Sequence, residues 1–155
     1  MQVKSSEIAL FSNLIRKYGT IDLPSKGMSM YPFIKEDDIC SFSVCNPSLL
    51  KKGDVVLFFL SNGQLVAHRF YKSAFMNNEQ HFIFKGDTNL AYDDPVKANQ
   101  ILGKLTNINR KNKSKKITNL KNIFWTQMII MLPSISYLLQ AYLSRKQGNK
   151  VHIRI

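Results

Sequence analysis

At 155 residues the chain is long enough for one domain with a buried core and too short for two comfortable ones. Hydrophobic content of 45% and aromatic content of 11% exclude a disordered chain. The formal charge of +12 calls for an anionic partner (nucleic acid, an anionic lipid surface or an acidic substrate) and by itself selects none of them.

Residues Ser6 to Tyr18 predict an amphipathic helix. Ile8, Phe11, Leu14, Ile15 and Tyr18 recur at helical spacing, Ser5 or Ser6 can cap the start, and Gly19 suits the C-terminal cap. Glu7, Arg16 and Lys17 bracket too short an apolar run for a signal peptide. The helix packs on the domain edge or, as the alternative, lies against a membrane or covers a groove.

Next comes Lys26-Gly27-Met28-Ser29-Met30-Tyr31-Pro32-Phe33-Ile34. Gly27 lets the backbone turn, and Pro32 fixes its own φ and biases Tyr31 towards an extended conformation. Ser29 is thus expected at a stiff bend among apolar neighbours, a setting that suits a nucleophile if a base reaches it.

From Thr20 to about Asn107 the pattern is short and β-rich. Ile39–Val44 partly alternates, Val55–Leu60 is a continuous apolar run, and Leu65–Phe70 follows an Asn62-Gly63 turn as the second arm of a hairpin. His81–Phe84 and Ile101–Leu105 complete the strands. The expected fold is mainly β, a compact barrel-like core between an N-terminal amphipathic helix and a C-terminal apolar helix. Cys40 and Cys45, five positions apart with no Cys-x-x-Cys, are too few for a metal site. They read as ordinary small residues in a reducing compartment, with a local disulfide as the lesser alternative.

His68 and the acids Asp87 and Asp93 follow Ser29 in chain order, supplying a base and a carboxylate to orient it. A serine hydroxyl needs an adjacent base, and the imidazole needs a partner that fixes its tautomer. Both acids are expected to contribute, one close to His68 and one supporting the loop. Arg69 is a candidate anchor for a carboxylate such as Asp87. Asp54 serves a turn, Asp94 is solvated, and His81 and His152 match no motif.

The set Gly-x-Ser-Met-x-Pro, Gly-Asp-Val-Val-x-Phe, His-Arg-Phe and Lys-Gly-Asp-x-Asn, running from Gly27 to about Gly103, resembles the type I signal peptidase family of membrane-associated serine endopeptidases. The histidine at position 68, where the usual bacterial branch has lysine, is closer to the branch of the endoplasmic reticulum, archaea and some Gram-positive bacteria. The resemblance implies Ser29 as nucleophile, His68 as base, Asp87 and Asp93 as supporting acids, and a β core of coiled sheets with a groove along one edge. It implies a substrate-facing and oxyanion-binding role for the Gly27, Met28, Met30 and Pro32 segment, no cofactor, and a precursor peptide with small residues before the cut, paired in extended form with a strand edge. Gly27 stands where many members carry a second serine that helps bind the oxyanion, which leaves that task to backbone N–H groups, including that of Ser29. The family also carries membrane spans ahead of the nucleophile, and no such run precedes Ser29. An inactive peptide- or membrane-binding module of the same fold is the alternative.

Arg110-Lys-Asn-Lys-Ser-Lys-Lys116 is a basic run, expected to be a solvated linker within residues 108–122 that closes a catalytic domain of residues 1–107. From Ile123 to Leu143 there are 21 positions without a charge. As one helix they would rise roughly 31 Å, near a bilayer core's thickness. Thr126, Pro133, Tyr137, Gln140 and Ser144 fall along one face opposite apolar residues, which suits an interfacial helix as well as a spanning one over 123–146, with a packed core helix as a lesser third alternative. Pro133 is expected to kink or split it. Lysines on both flanks favour an anionic membrane surface, and their greater density on the N-terminal flank places the catalytic domain on the cytoplasmic side. The basic run lacks interleaved aromatics and no DNA-reading motif is present, so nucleic acid is not an expected partner.

Overall fold

The structure, a computed structural model, describes the backbone of residues 5–111 and 113–151 and the side chains of 8–111 and 113–146. The expected cap at Ser5 or Ser6, and Lys150, His152 and Arg154, lie outside the described side chains.

The chain begins with helix α1 (Ser5–Tyr18), closed at Gly19, which takes a φ of +75° and donates its N–H to Ile15 O. Eight strands follow: β1 (Thr20–Pro24), β2 (Ile39–Ser43), β3 (Val55–Phe59), β4 (Leu65–Met76), β5 (Glu79–Lys85), β6 (Val96–Lys97), β7 (Ile101–Arg110) and β8 (Lys113–Lys116). Two helices, α2 (Leu120–Met131) and α3 (Ser134–Val151), end the described chain. The fold is therefore mainly β. All pairings are antiparallel in the order β1-β2-β7-β3-β4-β5-β6, with β8 added beside β7.

β3 explains the two-sided core. All five of its residues are buried, so an unbroken apolar run is needed where a half-exposed strand would alternate. Val55, Leu57 and Phe59 join one cluster with Ile15, Met30 and Phe42, while Val56 and Phe58 join another with Phe70, Phe82 and Phe84. The rings of Phe58 and Phe84 stack at 4.3 Å. Ile15 ties α1 to the first cluster, which is why the apolar stripe of that helix faces β1 and β7.

The expected barrel does not close. Among the described residues β1 pairs only with β2, and the two-residue β6 only with β5. β7 lies between β3, paired along Ile101–Lys104, and β2, paired along Lys104–Asn109, and each pairing carries a bulge, between Leu57 and Phe58 and between Ser41 and Phe42. Bulges increase local twist, so the sheet coils and leaves β1 and the start of β4 facing one cavity.

The basic stretch is also not a free linker. β7 runs on to Arg110, and Lys113–Lys116 returns against it from Arg110↔Lys113 to Asn107↔Lys116. All four residues of β8 are exposed, so the pairing rests on the backbone and on the polar Asn107–Ser114 side-chain contact and leaves no apolar alternation to read.

The C-terminal apolar stretch is two helices, bent by 102° at the break, and no single described helix is long and apolar enough to cross a membrane. Leu132 donates its N–H to Met128 O, and Pro133, lacking an N–H, ends the ladder there. Thr126, expected on an outer polar face, instead points inward to Arg69. Cys40 and Cys45 are free thiols, and burial pushes that of Cys40 up to about 12.

Candidate active site

Ser29 sits in the tight loop between β1 and β2, where Gly27 has a φ of +86° and the Tyr31–Pro32 bond is cis. Tyr31 donates its N–H to Met28 O at 3.0 Å, and Met30 and Ile34 are buried in the core below. The bend is thus anchored by buried apolar side chains that follow the hydroxyl. Ser29 N–H has no hydrogen-bond partner among the described residues.

His68 lies on β4, opposite Val56 of β3, and is 5% exposed. Its Nδ1 is 2.6 Å from Asp93 Oδ2. With Asp93 ionised, Nδ1–H donates to the carboxylate, which leaves the Nε2 lone pair free to accept a proton. Asp93 is delivered by the loop after β5, where its N–H donates to Phe84 O at 2.9 Å. The edge of Phe58 meets the imidazole ring at 6.3 Å, fixing it from the core side.

Asp87 does something different. It is 1% exposed and takes Arg69 Nε at 2.6 Å on Oδ1 and Arg69 Nη2 at 3.0 Å on Oδ2. This bidentate pair holds the β5–β6 loop against β4 and does not touch His68 Nδ1. The structure therefore brings Ser29, His68 and Asp93 together around one cavity and places Asp87 behind them.

Two residues beside Asp87, to which the sequence assigned no role of their own, support the site. Thr88 donates its N–H to Ser29 O at 2.9 Å and its hydroxyl reaches Met28 O and Ser29 O at 3.2 Å, so it clamps the peptide of Ser29. Gly86 allows the approach. A Cβ there would lie 2.8 Å from Ser29 O and 3.0 Å from His68 Nε2. The Lys-Gly-Asp-Thr run is the signal in the sequence, because a glycine before a buried acid permits such a contact.

The cavity measures about 590 Å³. One wall is Leu23–Gly27 at the end of β1, the other is Gln64–His68 at the start of β4, and Met30, Phe42 and Leu57 are among the apolar lining. Phe11 of α1 closes one side, a role that its place in an amphipathic stripe did not distinguish from core packing. β5 pairs with β4 only from Arg69 onwards, so the edge of Leu65–His68 is open to the cavity among the described residues. Gly27, Ser29 and Met30 line this space, whereas Met28 and Pro32 support the bend from outside its lining. Among the described residues Ser29 Oγ and His68 Nε2 are not hydrogen-bonded to each other; such contacts often tighten only when substrate arrives.

Among the described residues no group of three or more His, Cys, Asp or Glu side chains is arranged to hold a metal ion. A scan against protein-family models and a search of curated proteins each returned no match.

Proposed function

We propose that this chain is a serine endopeptidase of the kind its motifs resemble, a type I signal peptidase, acting on a precursor peptide at an anionic membrane surface. The observation that carries the reading is Ser29 facing the same cavity as a histidine whose far nitrogen is held by a carboxylate at 2.6 Å. Ser29 Oγ attacks a peptide carbonyl while His68 Nε2 takes its proton. His68 then protonates the leaving amine, and a water, activated in the same way, releases the acyl group. The developing oxyanion is met by the N–H of Ser29, which has no partner among the described residues, in keeping with Gly27 lacking a hydroxyl.

Two open strand edges face the cavity, which fits an extended substrate that adds a strand and drops alternate side chains into apolar pockets. The exposed Leu120, Phe124, Met131 and Leu138 beside Lys113, Lys115, Lys116 and Lys121 support seating on anionic lipid, with the catalytic domain on the cytoplasmic side. A second reading, a binding module that holds the peptide without cutting it, is favoured by the absent Ser29–His68 hydrogen bond and by Gly27.

The test is labelling by a fluorophosphonate probe of the natural chain and of Ser29→Ala and His68→Ala, with and without lipid. Labelling that requires both residues is the expected result. No labelling of the natural chain under either condition overturns the peptidase reading in favour of the binding module.

A further inference from the structure

The side of the catalytic centre away from the cavity is closed by the two C-terminal helices. Trp125 Nε1–H donates to Asp87 Oδ2 at 2.9 Å, and Arg69 Nη1 donates to Thr126 Oγ1 at 2.8 Å and to Gly53 O at 3.1 Å. The close approach of α2 requires Gly53, where a Cβ would lie 2.6 Å from Thr126 Cγ2. Further on, Tyr142 of α3 stacks on Tyr31, two residues after Ser29, with ring centroids 6.1 Å apart.

These contacts are not what apolar packing alone would produce. In a stretch without charges, two side chains with polar atoms turn inward and meet a buried ion pair, giving Asp87 a third donor and Arg69 a further acceptor. A buried network of this sort is rigid when every member is satisfied and costly when one is lost. Its position matters because Asp87 lies between Gly86, which abuts Ser29 O and His68 Nε2, and Thr88, which clamps Ser29. Any shift of Asp87 is passed to both reacting groups.

We propose that the C-terminal helix pair is a positioning element of the catalytic centre: Trp125 and Thr126 lock the Arg69–Asp87 pair, and Tyr142 steadies the nucleophile loop through Tyr31. The inference rests on the reading of Ser29 and His68 as the reacting pair. It assigns to the helices a role inside the enzyme in addition to any contact with lipid. A misplacement on the order of 1 Å is enough to cost about a hundredfold in rate, so a small movement of this support has a measurable effect.

The experiment compares the natural chain with the double variant Trp125→Phe/Thr126→Val, which keeps an aromatic ring and a β-branched side chain and removes the indole N–H and the hydroxyl. Two readouts are followed: the rate of fluorophosphonate labelling at Ser29, and the His68 ring resonances in 13C-histidine protein, assigned with His68→Ala. Labelling slowed at least about tenfold together with moved His68 resonances, both restored when Thr126→Ser replaces Thr126→Val and Trp125 is kept, is the expected result. An unchanged rate with unmoved resonances overturns the proposal, and so does slower labelling with unmoved resonances, since that loss would come from stability alone. If the natural chain is not labelled, the peptidase reading falls while the His68 resonances still decide whether α2 positions the site. Tyr142→Ala alters a half-exposed side chain and so tests the α3 arm in a folded protein: slower labelling supports that arm, and the natural rate removes it.

Discussion

The guanidinium carbon of Arg69 lies 4.4 Å from the centroid of the Phe33 ring. The segment that follows Ser29 therefore rests on the same side chain that grips Asp87 and stands next to His68 in β4. Arg69 is 1% exposed, and its charge is taken up by Asp87, by Gly53 O and by Thr126. It joins the loop of Ser29, the strand of His68 and the β5–β6 loop into one rigid unit.

This arrangement predicts that the two acids fail in different ways. Asp93→Asn is expected to leave the melting temperature near that of the natural chain while probe labelling falls by roughly 10³–10⁴, because the imidazole loses the partner that sets its tautomer. Asp87→Asn is expected to lower stability by about 3–5 kcal/mol, because it leaves the buried Arg69 charge unpaired. Thermal melts alongside labelling rates check both; equal effects of the two variants would contradict the division.

Gly86→Ala is expected to abolish labelling and to destabilise the fold by about 1–3 kcal/mol. The added methyl would meet the backbone carbonyl of Ser29 at 2.8 Å, and a backbone atom cannot swing aside as a flexible side chain can. Wild-type labelling by this variant would show that the loop tolerates displacement.

A pH dependence follows from the pair that joins the start of β2 to the end of β7. Burial raises the Asp38 carboxyl, but the Arg110 guanidinium at 2.7 Å and the Lys35 N–H at 2.8 Å more than offset this, and its pKa lies below the ordinary value. A carboxyl whose folded pKa is depressed stabilises the fold above its unfolded pKa and loses that contribution as pH falls through the folded one. The stabilisation should therefore be complete at neutral pH and fade below about pH 4. Asp38→Asn should melt earlier at neutral pH, a loss of about 1.5–3 kcal/mol, and the gap between variant and natural chain should shrink in acid.

Membrane seating is tested by co-sedimentation with vesicles. Phosphatidylglycerol-containing vesicles should retain the chain better than phosphatidylcholine alone, with added salt weakening retention, since each lysine near an anionic surface contributes about 1 kcal/mol. Phe124→Ser/Leu138→Ser, on exposed positions of α2 and α3, should reduce retention without altering the fold. Equal binding to both vesicle types would remove the charge-based part of the reading.

Local chemistry made much of the chain legible. The unbroken apolar run Val55–Phe59, the Asn62-Gly63 turn and the stripe of α1 each report a local rule of burial or turn geometry, and the strands and helix stand where those rules place them. Other features left no such trace. β8 has only exposed side chains and is held by backbone hydrogen bonds and one polar side-chain pair, Asn107–Ser114, so its lysines look the same in a strand as in a linker. Asp87 and Asp93 sit on one loop after one strand, and spacing cannot tell which faces the imidazole; Arg69, adjacent to His68 and pointing to the other side of the strand, claims Asp87 and leaves Asp93 to His68. Trp125 and Thr126 are the furthest from reach, because their partners lie 38 and 57 residues away in the chain. The sequence by itself determined the residue types of the site, their order and the mainly β character, since these depend on side-chain chemistry and near-neighbour geometry. Only the tertiary structure decided which acid meets the imidazole of His68, that the sheet stays open, and that the apolar C-terminal helices turn two side chains inward. Those outcomes depend on how distant segments satisfy one another's buried charges and hydrogen bonds.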